Sequence, residues 1–400
     1  MSDVSAVASS GRKPLPAGFG SLWSTVVLDL IGFGIVLPIL PLWAEGLGAS
    51  ARVVGVILAA YSVAQLIGAP VLGRLSDRIG RRPLLVLALA GSAVGHVVTG
   101  LAGSVAVLVL ARLLDGFSGS SVSVAFASVA DLAEPAERPR LFGLLGAGFA
   151  VGLILGPALG SLAALGGHRI PFFAAAGLCA LNAATAWWRL PETAPQPDAA
   201  RPRESVRETI ALLLRGGQLG RLLLVSLLAG LAFNAFESTF SLVGERRLGM
   251  TVTTAGLLFA GLGLVVATTQ GAVVPRLVKK LGARPAMRLA LGLLIVGCLL
   301  LAPSRGWLLL IVGTIVLVVG YSLLSPAISS ELAGLADPSR RGATFGLSQS
   351  TSALSRLVGP VAATTLLDVG GTGAPYLAGA ALGVAALTVV VAVIAPTAVA

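Results

Sequence analysis

The sequence predicts an all-α integral membrane protein of twelve transmembrane helices, arranged as two six-helix pseudo-symmetric bundles. Three observations predict it. Of the 400 residues, 56% are hydrophobic and only 11% are charged, whereas soluble domains carry about a quarter charged residues. Apolar runs recur along the whole length, and a helix needs about 20 apolar residues to cross a bilayer. The two halves also echo each other at an offset near 200 residues. Asp131-Leu132-Ala133 recurs as Glu331-Leu332-Ala333, Phe142-Gly143 as Phe345-Gly346, and Gly156-Pro157 as Gly359-Pro360. Gly80 and Pro83 recur as Gly282 and Pro285. Such a repeat puts the substrate path between the halves, near the bilayer midplane.

The expected spans are 18–41, 52–72, 83–103, 105–130, 141–165, 170–189, 220–243, 253–275, 285–303, 306–330, 343–367 and 375–395. They divide the chain into an N-terminal bundle (1–190), a linker (191–219) and a C-terminal bundle (220–400). The linker is rich in Pro, Arg and Glu. Its residues Ser205 to Arg215 read either as a short helix on the membrane surface or as an irregular tether. Basic residues gather in alternate loops, at Arg74, Arg78, Arg81, Arg82, Arg138 and Arg140 and again at Lys279, Lys280, Arg340 and Arg341. The intervening loops hold few. That bias predicts a plasma-membrane protein with both termini in the cytoplasm. The first apolar run lacks a small-residue cleavage site and reads as a retained helix.

Composition excludes several function classes. The net charge of +11 sits in short loops between spans and does not imply nucleic acid. None of the three lysines follows a phosphate-binding glycine turn, so no ATP chemistry is expected. His96, His168, Cys179 and Cys298 are scattered, so neither a metal site nor a disulfide framework is expected. No cofactor is implied.

In span 1, Asp29 lies well inside an apolar run, Leu28-Asp29-Leu30-Ile31-Gly32-Phe33-Gly34. An acid there is costly, which makes it a functional candidate rather than filler. Burial and a nearby arginine act on such a carboxylate in opposite senses, so a balanced one can gain and lose a proton. The alternative is a structural ion pair. Span 2 carries Tyr61 and Gln65 one turn apart, either lining the path or packing on a neighbour.

Between spans 2 and 3 the sequence reads Gly73-Arg74-Leu75-Ser76-Asp77-Arg78-Ile79-Gly80-Arg81-Arg82. Gly73 permits close helix contact and Gly80 a tight turn. Asp77 is expected to face the positive N-terminus of span 11, and Arg81 to pair with Asp131 at the end of span 4. Gly73, Asp77, Arg78, Gly80, Arg81 and Asp131 thus form a candidate conformational latch. The second-half copy has Lys279 where the first has Asp77, so only the first loop is expected to latch. His96 in span 3 reads as a packed or lipid-facing interior histidine.

Span 4 brings Arg112, Asp115, Gly116 and Gly119 to one helical face. Arg112 is always charged and needs an acid; Asp29 and Asp115 are both candidates. Should Asp115 hold Arg112 permanently, a proton relay through Asp29 is weakened. In span 5, glycine recurs every fourth residue at Gly148, Gly152, Gly156 and Gly160, with Pro157 adding a bend. Span 7 aligns Asn234, Glu237 and Ser238, with Phe236 and Phe240 interleaved. That group reads either as a binding surface for an amphiphilic cation or as an interfacial stretch. In span 11, Gln349 and Arg356 share a face; Arg356 pairs with Glu237, meets an anionic substrate, or is structural.

The loop after span 2, the span 1 segment, Arg112 to Gly116, the span 5 glycines and Leu190-Pro191-Glu192-Thr193 together resemble the major facilitator superfamily. Within it they fit the twelve-helix drug:proton antiporter group that includes tetracycline efflux proteins. The resemblance covers nearly the whole chain. It implies a secondary transporter, not an enzyme, exporting small molecules against protons by alternating access, the span 5 pattern being the pointer to antiport. It implies small-molecule, proton and lipid partners and a monomer. Protonation of Asp29 would then loosen its pairing with Arg112. A proton-linked importer of a metabolite, sugar or siderophore, and a non-transporting receptor or assembly factor, are the alternatives.

Overall fold

The structure, a computed structural model, describes residues 15–393 apart from 133, 135, 136, 194–216 and 336–340. Among the described residues every regular element is helical. The linker segment Ser205 to Arg215 lies outside them.

Proline and glycine set the breaks in an otherwise continuous helical pattern. Span 1 runs Phe19–Val36, stops at Pro38, and resumes as Leu40–Gly46, as expected where a proline removes a backbone donor. Span 2 is Ala51–Ile79, capped by Ser50, whose side chain accepts from Val53 N. Span 3 is Arg81–Leu101. Span 4 comprises Val105–Ser118 and Ser121–Leu132, interrupted at Gly119. Span 5 is Arg138–Ala164 and span 6 is Ile170–Arg189. In the second half, span 7 is Gly217–Leu248. Span 8 passes through Val252–Thr268, a π-helical turn at Thr269–Val273, and Val274–Leu281. Spans 9 to 12 are Ala283–Leu301, Trp307–Leu335, Arg341–Gly370 and Ala374–Val393.

Ten of these are long and apolar enough to cross a membrane. Arg138–Ala164 and Arg341–Gly370 take the fifth and eleventh places, which is consistent with twelve spans. Large apolar side chains such as Leu165, Leu308 and Val369 stay exposed, the signature of a lipid-facing perimeter.

One expectation about the chain between spans 2 and 3 is corrected. The motif is expected as a loop, yet Gly73 to Ile79 continue the helix of span 2. Only Gly80 turns, at φ 99°, before span 3 begins at Arg81. The glycine at Gly73 does not break a helix whose apolar face is already packed.

Neighbour relations repeat six spans apart. Span 1 packs on spans 5 and 6, span 3 on spans 4 and 6, and span 2 on span 4. Likewise span 7 packs on spans 11 and 12, span 9 on spans 10 and 12, and span 8 on span 10. Across the halves, span 2 meets span 11 and span 5 meets span 8, two contacts that exchange under the same repeat.

The two ends of the bundle differ. At the end carrying Gly48, three hydrogen bonds tie the halves together. Arg52 N donates to Asp368 Oδ2 at 2.8 Å, Ser241 Oγ to Pro38 O at 3.0 Å, and Arg246 NH2 to Glu45 Oε1 at 2.6 Å. Arg247 there also donates to the carbonyls of Leu301, Ala302 and Ser304 and to Thr372, fixing the ends of spans 7, 9 and 12 to one another.

Candidate functional site

Asp29 sits midway along span 1 and is only partly buried. Ser121 Oγ, at the start of the second segment of span 4, donates to its Oδ2 at 3.0 Å. The break that places Ser121 there follows from the glycines of span 4. A Cβ at Gly116 would collide with the Tyr61 carbonyl, and one at Gly119 with the Tyr61 hydroxyl. Both glycines therefore let span 4 close against span 2. Gln65 holds the same break, with its Nε2 donating to Gly119 O at 3.3 Å and its backbone carbonyl accepting from Ser120 Oγ at 3.1 Å.

The Asp29–Arg112 ion pair expected from the sequence is not formed. Arg112 NH2 instead lies 2.6 Å from Asp115 Oδ2, three residues on, with both side chains almost fully buried. The reason is local: one helical turn brings the two groups together without ordering any other element. Despite that short distance, Arg112 NH2, Arg112 Nε and Asp115 Oδ2 complete no aligned hydrogen bond. The contact is a close ion pair of poor hydrogen-bond geometry. The Tyr61 ring lies 5.8 Å from Arg112 Cζ, within range of a cation–π attraction.

His96 belongs to this group, which the sequence reading missed. It is 2% exposed, and its Nε2 stands 3.9 Å from Asp115 Oδ1. It therefore faces the charged core of the N-terminal half and not lipid. The missing signal was its helical phase: Gly95 beside it packs on Asp115, a relation between spans that single-span periodicity cannot reveal.

Glu237 in span 7 is partly buried and Arg356 in span 11 is exposed. No ion pair joins them among the described residues, but their charges act on each other and on Tyr321 of span 10. Arg356 also acts on Tyr61 in the other half, and Ser62 Oγ donates to its backbone carbonyl at 3.4 Å. Phe233 stacks on Tyr321 at 3.9 Å between centroids. Tyr61, Glu237, Tyr321 and Arg356 thus lie within reach of one another's charge, and Ser62 and Arg356 join spans 2 and 11 across the halves.

Other predicted residues have different surroundings. Asn234 donates to Gly230 O at 2.7 Å and Ser355 Oγ at 3.4 Å, linking spans 7 and 11. Phe236 and Phe240 are each 1% exposed and pack within the core, Phe240 against Phe259 of span 8. Gln349 is exposed on span 11. The glycines of span 5 line its contact with span 1. A Cβ at Gly148 would stand 2.9 Å from Val27, one at Gly156 2.6 Å from the Cα of Gly34, and one at Gly160 2.8 Å from Ile35 O. At Gly152 the obstacle is Leu30. Pro157 lies inside the unbroken helix of span 5, and a Cβ on Gly256 of span 8 would stand 3.0 Å from its carbonyl.

At the Gly80 end, Arg81 is buried and joins three groups. Its Nε lies 2.9 Å from Asp131 Oδ2, one terminal nitrogen lies 2.6 Å from Asp77 Oδ1, and the same nitrogen donates to Ser76 Oγ. Its backbone N–H donates to Glu192 Oε1 at 2.7 Å, a residue the motif did not point to. Glu192 leaves no room for a Cβ at Gly80. Gly73 and Arg78 lie on successive turns near the end of the span 2 helix, Arg78 exposed. The start of span 11, where Asp77 was expected to find a partner, lies outside the residues whose side chains are described. In the second half Arg284, at the place equivalent to Arg82, lies with its Nε 3.3 Å from Glu331 Oε2; the acid repeats Asp131, while the arginine that reaches it comes from the next position along.

Comparison with known proteins identifies the family. The chain is 32% identical to the class E tetracycline resistance protein of Escherichia coli over 345 residues, 84% of each chain. It is 30% identical to the class C protein of the same organism over 371 residues, 90% of this chain and 92% of that one. Among solved structures, the human organic anion transporter TETRAN is 29% identical with a TM-score of 0.68, covering 93% of this chain and 98% of that chain. The nucleoside transporter NupG shares the fold at a TM-score of 0.78 and 14% identity, covering 94% of this chain and 98% of that chain. The profile of the Major Facilitator Superfamily matches residues 22–307 and 246–399. This multi-pass membrane protein, a secondary transporter and not an enzyme, belongs to the Major Facilitator Superfamily.

Proposed function

We propose that this chain exports small amphiphilic molecules in exchange for protons, by alternating access between an N-terminal bundle (1–190) and a C-terminal bundle (220–400) joined by the linker 191–219. The observation that carries the reading is Asp29. It is a carboxylate midway along an apolar span, partly exposed, held by one hydroxyl and free of an ion pair among the described residues. An intramembrane acid left without a counter-ion can take up a proton in one state and give it up in another. The names of the tetracycline resistance proteins support a drug substrate. The glycine-lined contact of spans 1 and 5 supports antiport.

In this reading both termini lie in the cytoplasm of a plasma-membrane protein, as the basic loops direct. The ties at the Gly48 end correspond to a conformation closed on the outside. Substrate enters between the bundles from the Gly80 side and contacts Phe233, Tyr321, Glu237 and Tyr61. A proton arriving at Asp29 from outside leaves to the cytoplasm as substrate moves the other way. Arg112, already paired with Asp115, is not the exchange partner of Asp29.

A second reading concerns substrate charge. Arg356 is exposed between the halves, and the solved relative TETRAN is titled an organic anion transporter. An anionic group seated on Arg356 fits that geometry.

The test uses inside-out membrane vesicles with an imposed proton gradient. Uphill accumulation of tetracycline or an anionic amphiphile, lost on collapsing the gradient, is the expected result. Equal accumulation by the Asp29→Asn variant would remove Asp29 as the coupling acid.

A further inference from the structure

Span 3 supplies a buried imidazole that the coupling scheme above leaves unused. His96 Nε2 is 3.9 Å from Asp115 Oδ1, and Nδ1 has no hydrogen-bond partner. A buried polar atom without a partner costs about 1–3 kcal/mol, so packing alone does not account for a histidine here. Asp115 stands between two nitrogen groups, with Arg112 at 2.6 Å on one oxygen and His96 on the other.

The charges around Asp115, the anion that His96 faces, can be counted. Span 4 presents Arg112 and Asp115, and span 1 presents Asp29, whose charge acts on Asp115. Span 2 presents the Tyr61 hydroxyl and span 6 the Cys179 thiol, both within the field of Asp29 and Asp115. Tyr61 and Cys179 are neutral when protonated. With both carboxylates ionised, Arg112 offsets one of them and the cluster carries one surplus negative charge. Unpaired charge is expensive at this depth. One added proton brings the sum to zero, and two groups can hold it: the Asp29 carboxylate or the His96 imidazole.

We propose that Asp29 and His96 are alternative seats for one exchangeable proton, with Asp115 as the fixed anion between Arg112 and His96. Moving the proton from Asp29 to His96 breaks one O–H bond and forms one N–H bond, and the net charge of the cluster stays at zero. In the first state Asp29 is neutral and substrate meets no anion from span 1. In the second, Asp115 faces two cations and Asp29 is an anion open to the space between the halves. This deepens the proton-exchange reading and rests on it.

The chain contains two histidines, and His168 is exposed in the connection between spans 5 and 6. Labelling histidine with nitrogen-15 in a His168→Gln background therefore leaves His96 as the one reporter. Its signal is expected to show a cationic form whose share grows as the pH falls. Asp29→Asn reaches the neutral count without His96, so the cationic-to-neutral ratio at a given pH is expected to fall about tenfold or more. A His96→Gln variant is expected to keep substrate binding and alter the pH profile of uphill transport. An imidazole that stays neutral throughout, or that ignores Asp29→Asn, overturns the proposal. If it ignores Asp29→Asn while that variant loses uphill transport, proton exchange stands and the shared proton falls. If it responds while Asp29→Asn still transports uphill, the shared proton stands and the coupling role of Asp29 falls.

Discussion

Gly34 of span 1 and Gly156 of span 5 meet backbone to backbone. A Cβ on Gly156 would stand 2.6 Å from the Cα of Gly34, and a Cβ on Gly34 would stand 2.8 Å from Gly152 O. Neither obstacle is a flexible side chain, so the helices themselves must part. Gly156→Leu is therefore expected to cost about 1–3 kcal/mol by overpacking. Thermal unfolding in detergent reads it as a clear fall in midpoint. Gly20→Ala is the control, since nothing lies within 4 Å of that position. Equal stability of the two variants contradicts the contact.

The two arginine–acid pairs of the repeat differ in burial, and that difference sets what each contributes. The Arg81 side chain is 8% exposed and that of Arg284 is 37% exposed. Removing Arg81 strands Asp131 and Asp77 together, which is expected to cost about 3 kcal/mol. Removing Arg284 is expected to cost about 1 kcal/mol or less, as for a solvated pair. Chemical denaturation of Arg81→Ala and Arg284→Ala measures both. Similar losses would mean that burial does not govern these pairs.

Legibility followed the range of the interaction. The span pattern and the repeat could be read because hydrocarbon imposes length and polarity residue by residue. Arg81–Asp131 could be read because the motif marked Arg81 and the repeat marked Asp131. Arg112–Asp115 was readable as one of two options, since helical spacing gives the i,i+3 neighbour but not its competition with Asp29. His96, Ser121 and Glu192 were not readable. Each acts through a partner on another span or segment, and the angle at which two helices face each other is set by packing. The same holds for Phe236 and Phe240, whose amphipathic spacing fits a lined path and a packed core equally well.

Ser121 offers a graded test of Asp29. It donates the one hydrogen bond at 3.0 Å that holds the carboxylate toward span 4, and bonds to charged groups contribute about 1.5–3 kcal/mol. Ser121→Ala is expected to reduce uphill transport about tenfold while substrate counterflow, which needs no net proton movement, is kept. Asp29→Asn is expected to abolish the first and keep the second. Loss of counterflow in both variants would assign these residues to substrate binding.

The Glu45–Arg246 tie bridges spans 1 and 7 at the Gly48 end, with side chains 17% and 35% exposed. Its partial solvation limits it to about 0.2–1 kcal/mol. Glu45→Gln should accordingly move the balance between closed and open Gly48 ends by about fivefold at most, too little to lock either state. The backbone bond from Arg52 N to Asp368 and the Ser241 bond to Pro38 remain. Spin labels at Gly103 and Gly306, positions with nothing within 4 Å, report the separation of the halves on that side. A modest rise in the long-distance fraction for Glu45→Gln, and a larger one for Glu45→Gln combined with Asp368→Asn, is the expected outcome. An unchanged distribution in the double variant would mean that the halves are held together by the packing of span 2 on span 11 and span 5 on span 8, with the polar ties following that contact instead of holding it.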